Sequence, residues 1–263
     1  MLDIRVISIG AMTSHPLWGE RAPVRSGHAT TTLIRGEGMT ILVDPGLPGP
    51  LLGPRLRERS GIDPEDVTHV FLTSYHPETH RGIGLFEEAT WWIAREEREG
   101  AGVPLISILK RAAESSDPDP QLIAQLRREV DVLQKFQEAP QRLMKGVDLF
   151  PMKGVTPGCT GLIIGQDDLT TVICGDAIPT IEHYRRGMVA STCADVTAAR
   201  ASFGEACEVA DLLILGRDNI VVNDRQERGL MDADTDDAAE NDGDARDGKP
   251  RRDRQQENEA DGQ

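Results

Sequence analysis

The chain is poor in most of the features that assign a protein quickly. Its four cysteines, Cys159, Cys174, Cys193 and Cys207, include no CxxC pair. At that density over 263 residues they exclude a disulfide-framed scaffold, and reduced thiols are expected. No apolar run approaches the roughly 18 residues a membrane-spanning helix needs. The opening Met1–Gly10 stretch carries charges inside its apolar pattern, unlike a signal peptide. Together these point to a soluble, cytoplasmic protein.

Positive charge is also short. Lys and Arg number 29 against 44 Asp and Glu, a formal net charge of -15. Residues 229–263 hold 12 of the acidic and 5 of the basic groups, which leaves -8 on residues 1–228. A body of that sign repels phosphate at long range, which argues against nucleic acid or an anionic membrane as partner. Apolar residues make up only 38% of the chain, so part of its length is expected not to pack. The unpacked part is placed at the end. From about residue 225 the chain is acidic and Gly/Asn/Gln-rich, and it cannot bury enough surface to offset its ordering entropy. The expected organisation is a single domain over 1–224 followed by a disordered acidic tail over 225–263.

Within 1–224 the pattern is mostly that of strands. Residues 4–9, 29–35, 39–43, 67–72, 89–93, 147–152, 160–164, 170–174 and 211–215 are apolar or β-branched runs bounded by turn residues. Gly36-Glu37-Gly38 reads as the tight turn of a hairpin. Residues 51–59 and 195–210 read as helices. The apolar stripe Leu122, Ile123, Leu126, Val130 and Leu133 predicts an amphipathic helix over 121–136. The wider segment 105–145 is expected to be a helical insertion in a β-rich scaffold.

The chemistry-bearing residues gather where apolar strands stop. Val67–Leu72 runs into a turn holding Ser74, His76, Glu78 and His80; Val172–Cys174 ends in Gly175-Asp176; Leu212–Leu215 ends in Gly216-Arg217-Asp218. A further turn, Thr156-Pro-Gly-Cys159-Thr160, precedes a strand. Strands lying side by side would bring imidazole, carboxylate and thiolate groups together, the donor types that suit zinc or iron.

These elements, in this order, resemble the metallo-β-lactamase superfamily. Thr73-Ser-Tyr-His76-Pro-Glu78-Thr-His80-Arg-Gly82 is similar to that family's T-H-x-H-x-D-H-x-G-G motif. Upstream, Asp44-Pro-Gly46 is similar to its D-x-G strand-end turn, and Thr156–Thr160, Gly175-Asp176 and Gly216-Arg217-Asp218 are similar to its later turns. The resemblance implies a four-layer αββα sandwich. It also implies which positions would hold two metals. The five family histidines fall on Ser74, His76, Thr79, Cys159 and Arg217, so His76 alone is kept. The family aspartates fall on Glu78 and Asp176.

Two readings follow. Losing four of five histidines points to a non-catalytic or weakly active member without efficient dinuclear hydrolysis, its metal charge replaced by Arg217 paired with Glu78 and Asp176, its old site an ion-paired core or a small-ligand pocket, serving in binding, regulation or assembly. The alternative is a mononuclear hydrolase of an ester, thioester, lactone or phosphodiester. It would hold one divalent ion (Zn, Fe or Mn) on His76, Cys159 and Asp176, with Glu78 as a further ligand or as the base that orients water and His80 as a substitute ligand. Other roles compete for the same residues. Cys159 also reads as a small buried apolar residue, and His80 as a surface group.

Overall fold

A computed structural model describes residues 2–224; the tail expected over 225–263 lies outside the described residues. Twelve strands form two six-stranded sheets. The first contains β1 (Asp3–Ser8), β2 (Thr31–Gly36), β3 (Met39–Val43), β4 (His69–Leu72), β5 (Thr90–Ile93) and β6 (Gln137–Glu138), in that spatial order. The second contains β7 (Arg142–Met144), β8 (Val147–Pro151), β9 (Thr160–Gln166), β10 (Leu169–Gly175), β11 (Leu212–Leu215) and β12 (Ile220–Val222), again in sequence order across the sheet. Strands β3 to β6 run parallel, as do β10 and β11; the remaining pairs are antiparallel. The β2–β3 hairpin turns on Glu37 and Gly38, both at positive φ (51° and 79°), a two-residue turn whose twist matches that of the strands it joins.

Alternation along the strands builds the layers. In β3, Ile41 and Val43 point one way and Leu42 the other; in β4, Phe71 opposes Val70 and Leu72. Leu42, Val70 and Leu72 pack with Leu52 and Leu56 of helix α1 (Gly49–Ser60), which covers the outer face of the first sheet. Ile41, Val43 and Phe71 meet Leu162, Ile164, Ile173 and Ile214 of the second sheet in a central layer. Beyond that, Val172, Cys174, Leu213 and Leu215 pack on Phe203, Ala206 and Cys207 of helix α6 (Val196–Val209). Three apolar layers between two sheets and two flanking helices make the four-layer αββα sandwich that the motifs implied.

The helical insertion departs from its expected bounds. Helix α3 spans Arg95–Ala113 and α4 spans Pro120–Lys135, so the insertion begins ten residues before 105, and β6 and β7 fall within the stretch expected to be helical. Gly100, Gly102 and Pro104 mask the start of α3 in the sequence. Acidic Glu96 and Glu97 in its first turn and the Arg95–Glu99 i,i+4 pair support it. Strands of two and three residues carry no local period, and β6 and β7 exist through pairing with β5 and β8. Two short helices that the sequence did not announce, α2 (Pro77–His80) and α5 (Ile181–Arg186), lie beside strand ends.

Phe71 is fully buried in the central layer. Phe71→Ala is expected to cost about 3–5 kcal/mol in urea unfolding. Leu122→Ala, at a position 43% exposed on α4, should stay within about 0.5 kcal/mol of the parent. Equal effects would contradict the layer assignment.

Candidate functional site

The turns after β4, β10 and β11 meet at one end of the sandwich. Backbone hydrogen bonds across the seam hold them there: Thr160 N donates to Thr73 O (2.9 Å), Ala29 N to Glu78 O (2.9 Å) and Thr30 N to Gly216 O (2.8 Å). Gly175 stands at φ 51°, and a Cβ there would lie 2.5 Å from Thr73 Oγ1, so a larger residue would push the β4 and β10 ends apart. The turn after β4 is shaped by its own side chains. His76 Nδ1 accepts the Glu78 N–H (3.2 Å), while Thr79 Oγ1 accepts from His76 N (3.3 Å) and donates back to the turn carbonyls of Ser74 and His76. This reciprocal capping box places Glu78 on the inner side of the turn.

Arg217 fills the space between the carboxylates. Its Nε donates to Asp176 Oδ1 (2.7 Å) and its Nη2 to Asp176 Oδ2 (2.6 Å), a bidentate fork, and Nη1 donates to Glu78 Oε2. Thr13 donates to the other oxygen, Glu78 Oε1 (2.6 Å). The Arg217 side chain is only 6% exposed. Burial disfavours its charge, yet the two carboxylates outweigh burial and hold it firmly protonated. Burial likewise works to raise Asp176, but the adjacent guanidinium and its hydrogen bonds prevail and keep that carboxyl below its ordinary range.

Two further buried carboxyls hold the site from behind, and neither stood out as functional in the sequence. Asp44, at φ 49°, accepts from both Thr73 N (2.9 Å) and Thr73 Oγ1 (2.7 Å). Burial, with a smaller push from Asp176, raises its pKa to about 7 despite the Thr73 bonds. Glu97, at the start of α3, accepts from Tyr75 N (2.7 Å), Thr156 Oγ1 (2.6 Å) and Gly158 N (3.2 Å), and burial raises its pKa too. It clasps the turn after β4 to the turn before β9. An isolated acidic residue in a charged helix start carries no signal of that kind.

The other residues singled out in the sequence have separate surroundings. Cys159 is fully buried and packs in the apolar layer under α6, where burial drives its thiol well above the ordinary range. His80 is not a surface group: it is 6% exposed, stacks on Tyr75 and lies 3.7 Å from Glu129 of α4. Asp218 faces α5, accepting from Ile181 N (3.1 Å). His15 is buried against Thr180 (3.0 Å) and Glu182 (3.3 Å), anchoring the loop that carries Thr13 and Ser14. Among the described residues, no three or more His, Cys, Asp or Glu side chains are grouped so as to hold a metal ion.

A cavity of about 460 Å³ opens above the ion pair. Glu78, Asp176, Arg217 and His76 line it together with the hydroxyls of Thr13, Ser14, Ser74, Thr156 and Thr192 and the apolar Met12, Val155, Pro179 and Ala190. His76 uses Nδ1 as an acceptor, so in the neutral ring the proton sits on Nε2.

Comparison with known proteins agrees with this architecture. The model of the metallo-beta-lactamase superfamily matches residues 24–205, more than half of the chain. AidC, a dizinc quorum-quenching lactonase solved with the product N-hexnoyl-L-homoserine, is 20% identical over 68% of this chain and 67% of its own, with a TM-score of 0.53. A Thermotoga maritima structure assigned to the metallo-beta-lactamases is 16% identical over 84% of this chain and 99% of its own, at a TM-score of 0.61. A probable metal-dependent hydrolase from Staphylococcus aureus is 16% identical over 84% and 92%, at 0.59. At such identities the likeness is one of fold. No curated protein matches the chain.

Removing the guanidinium while keeping its bulk leaves Glu78 and Asp176 facing each other without compensation. Arg217→Met is expected to lose about 3–5 kcal/mol at neutral pH, with part of the loss recovered on acidification as the carboxylates take up protons. Denaturant unfolding at two pH values checks it; a variant as stable as the parent at neutral pH contradicts the pairing.

Asp44 predicts a second pH effect of opposite sign. A carboxyl raised from 3.8 to about 7 binds a proton in the folded state that the unfolded chain has already released. Its contribution is therefore fully present below about pH 4 and is lost as pH rises toward 7, by an amount on the order of a few kcal/mol. Asp44→Asn, which can still accept from Thr73 N, should flatten the stability profile between pH 4.5 and 7.5. An unchanged slope would show that Asp44 is ionised throughout.

Proposed function

Because the chain belongs to the metallo-β-lactamase superfamily, we propose that it is a member in which an arginine stands in for the metal centre and the remaining cavity binds a small molecule without metal-dependent hydrolysis. The observation that carries this reading is Arg217, hydrogen-bonded to both carboxylates that the family would turn toward metal. A guanidinium already supplies the positive charge those carboxylates need, and a divalent ion in the same space would have to displace it against two ion pairs.

The other donors do not fit a divalent ion either. Ser74 and Thr79 offer neutral hydroxyls, and the Thr79 hydroxyl is committed to the turn. An imidazole that ligates through Nε2 keeps its proton on Nδ1, but His76 Nδ1 meets the Glu78 N–H, itself a donor. Cys159 would have to ionise inside an apolar layer that strongly disfavours the thiolate. The single-metal hydrolase on His76, Cys159 and Asp176, with Glu78 as base, therefore requires three side chains to change state together.

What the chain retains is a walled, polar-floored recess of a size that takes a small ligand. The His15 anchor and the Glu97 clasp hold its sides, and the ion pair holds its floor.

Metal analysis of protein purified without chelator tests the proposal. Zinc, iron and manganese are expected well below one equivalent, and added zinc should leave the melting temperature unchanged. Near-stoichiometric metal that disappears in a His76→Ala/Asp176→Ala double variant would refute the metal-free reading.

A further inference from the structure

We propose that the cavity takes a positively charged amine, its ammonium group seated on lone pairs of the Glu78 and Asp176 carboxylates that Arg217 and Thr13 leave open, and against the Ser74 hydroxyl, and that it rejects carboxylates and phosphates. This inference rests on the metal-free reading of the same site. A metal centre at this place would present net positive charge to a ligand. Here the sign is reversed, because the cation lies underneath. The Arg217 side chain is 6% exposed, whereas Glu78 and Asp176 are each 18% exposed and line the cavity beside it. Two carboxylates against one guanidinium leave the floor at net −1. Asp44, buried behind it, adds negative charge as pH rises past about 7.

Arg217 is the one Lys or Arg among the described residues lining the cavity. Arg25 reaches Met12 O (3.1 Å) at the edge, but Glu20 pairs with it. The net charge of -15 on the whole chain adds a long-range field that concentrates cations and repels anions.

A second observation points to an occupant independently of the charge. Ser74 is 1% exposed and lines the cavity, yet its hydroxyl has no hydrogen-bond partner among the described residues. Thr13 donates to Glu78 and Thr156 to Glu97, so their hydrogens are committed, but Ser74 is free to accept. Ser74 lines the cavity, and a donor placed there would meet an acceptor that no other side chain has claimed. An ammonium group carries three N–H donors and no acceptor, which suits two carboxylate oxygens and one hydroxyl. The apolar Met12, Val155, Pro179 and Ala190 then accommodate a short aliphatic body rather than a second charge.

Three probes of equal length separate the alternatives: n-pentylamine, n-pentanol and pentanoate, titrated into the full chain by calorimetry and scored by thermal shift, with inorganic phosphate as a fourth. Pentylamine is expected to bind saturably and raise the melting temperature, pentanol to bind more weakly, and pentanoate and phosphate to have no effect. Glu78→Gln should weaken pentylamine about tenfold or more by removing a charge-assisted hydrogen bond. Ser74→Ala, which disturbs no existing hydrogen bond, should weaken it by a smaller factor and guards against a folding defect in the first variant. Binding of pentanoate or phosphate at or above the affinity of pentylamine overturns the inference. So does the absence of any pentylamine binding, or amine binding unchanged in both variants. The metal assay keeps the two conclusions apart: stoichiometric metal in the parent protein removes the metal-free reading itself, whereas a metal-free protein that prefers anions removes the amine alone.

Discussion

The contact on which the rest of the site depends is the guanidinium of Arg217 held between Glu78 and Asp176. Glu78 follows β4 in the first sheet, while Asp176 and Arg217 follow β10 and β11 in the second. One side chain therefore joins the ends of both sheets and neutralises one of the two negative charges that converge there. Buried ions are costly singly and tolerable together, so none of the three residues can be exchanged without altering what the other two require. The same contact fills the space between the carboxylates with a fixed cation, while both carboxylates also face the cavity.

Around that contact the fold follows from ordinary patterning. Alternation in β3, β4, β10 and β11 sends successive residues to different apolar layers, and the layers stack α1, two sheets and α6. Strands that must bury both faces have only their ends on which to carry polar groups. That is why Glu78, Asp176 and Arg217 each lie just past the end of a strand.

Much of this was legible in the sequence, for stated physical reasons. Nine of the twelve strands, all but β6, β7 and β12, the hairpin at Glu37-Gly38 and the order of the strand-end turns are written in local periodicity and turn residues. The family resemblance then assigned the layers. Other features depend on what meets in space. The start of α3 is hidden by Gly100, Gly102 and Pro104; β6 and β7 are too short to have a period; and His80 looks exposed until Tyr75 and Glu129 close over it. Cys159 resembles a ligand in a turn, yet the turn directs its side chain into the layer under α6. Asp44 and Glu97 gave no sign of their roles, because a carboxyl that accepts two or three backbone and hydroxyl donors looks like any other until those donors are placed.

The Glu97 clasp has a mechanical meaning. It sits at the root of the α3–α4 hairpin and grips the turn after β4 and the turn before β9 with a single carboxylate, while Tyr75 in the first of those turns donates to Glu129 of α4. One carboxylate and one phenol hydroxyl thus fasten the hairpin to the turns beside the cavity wall at Thr156, while the floor is fastened separately, through Arg217, to the ends of both sheets.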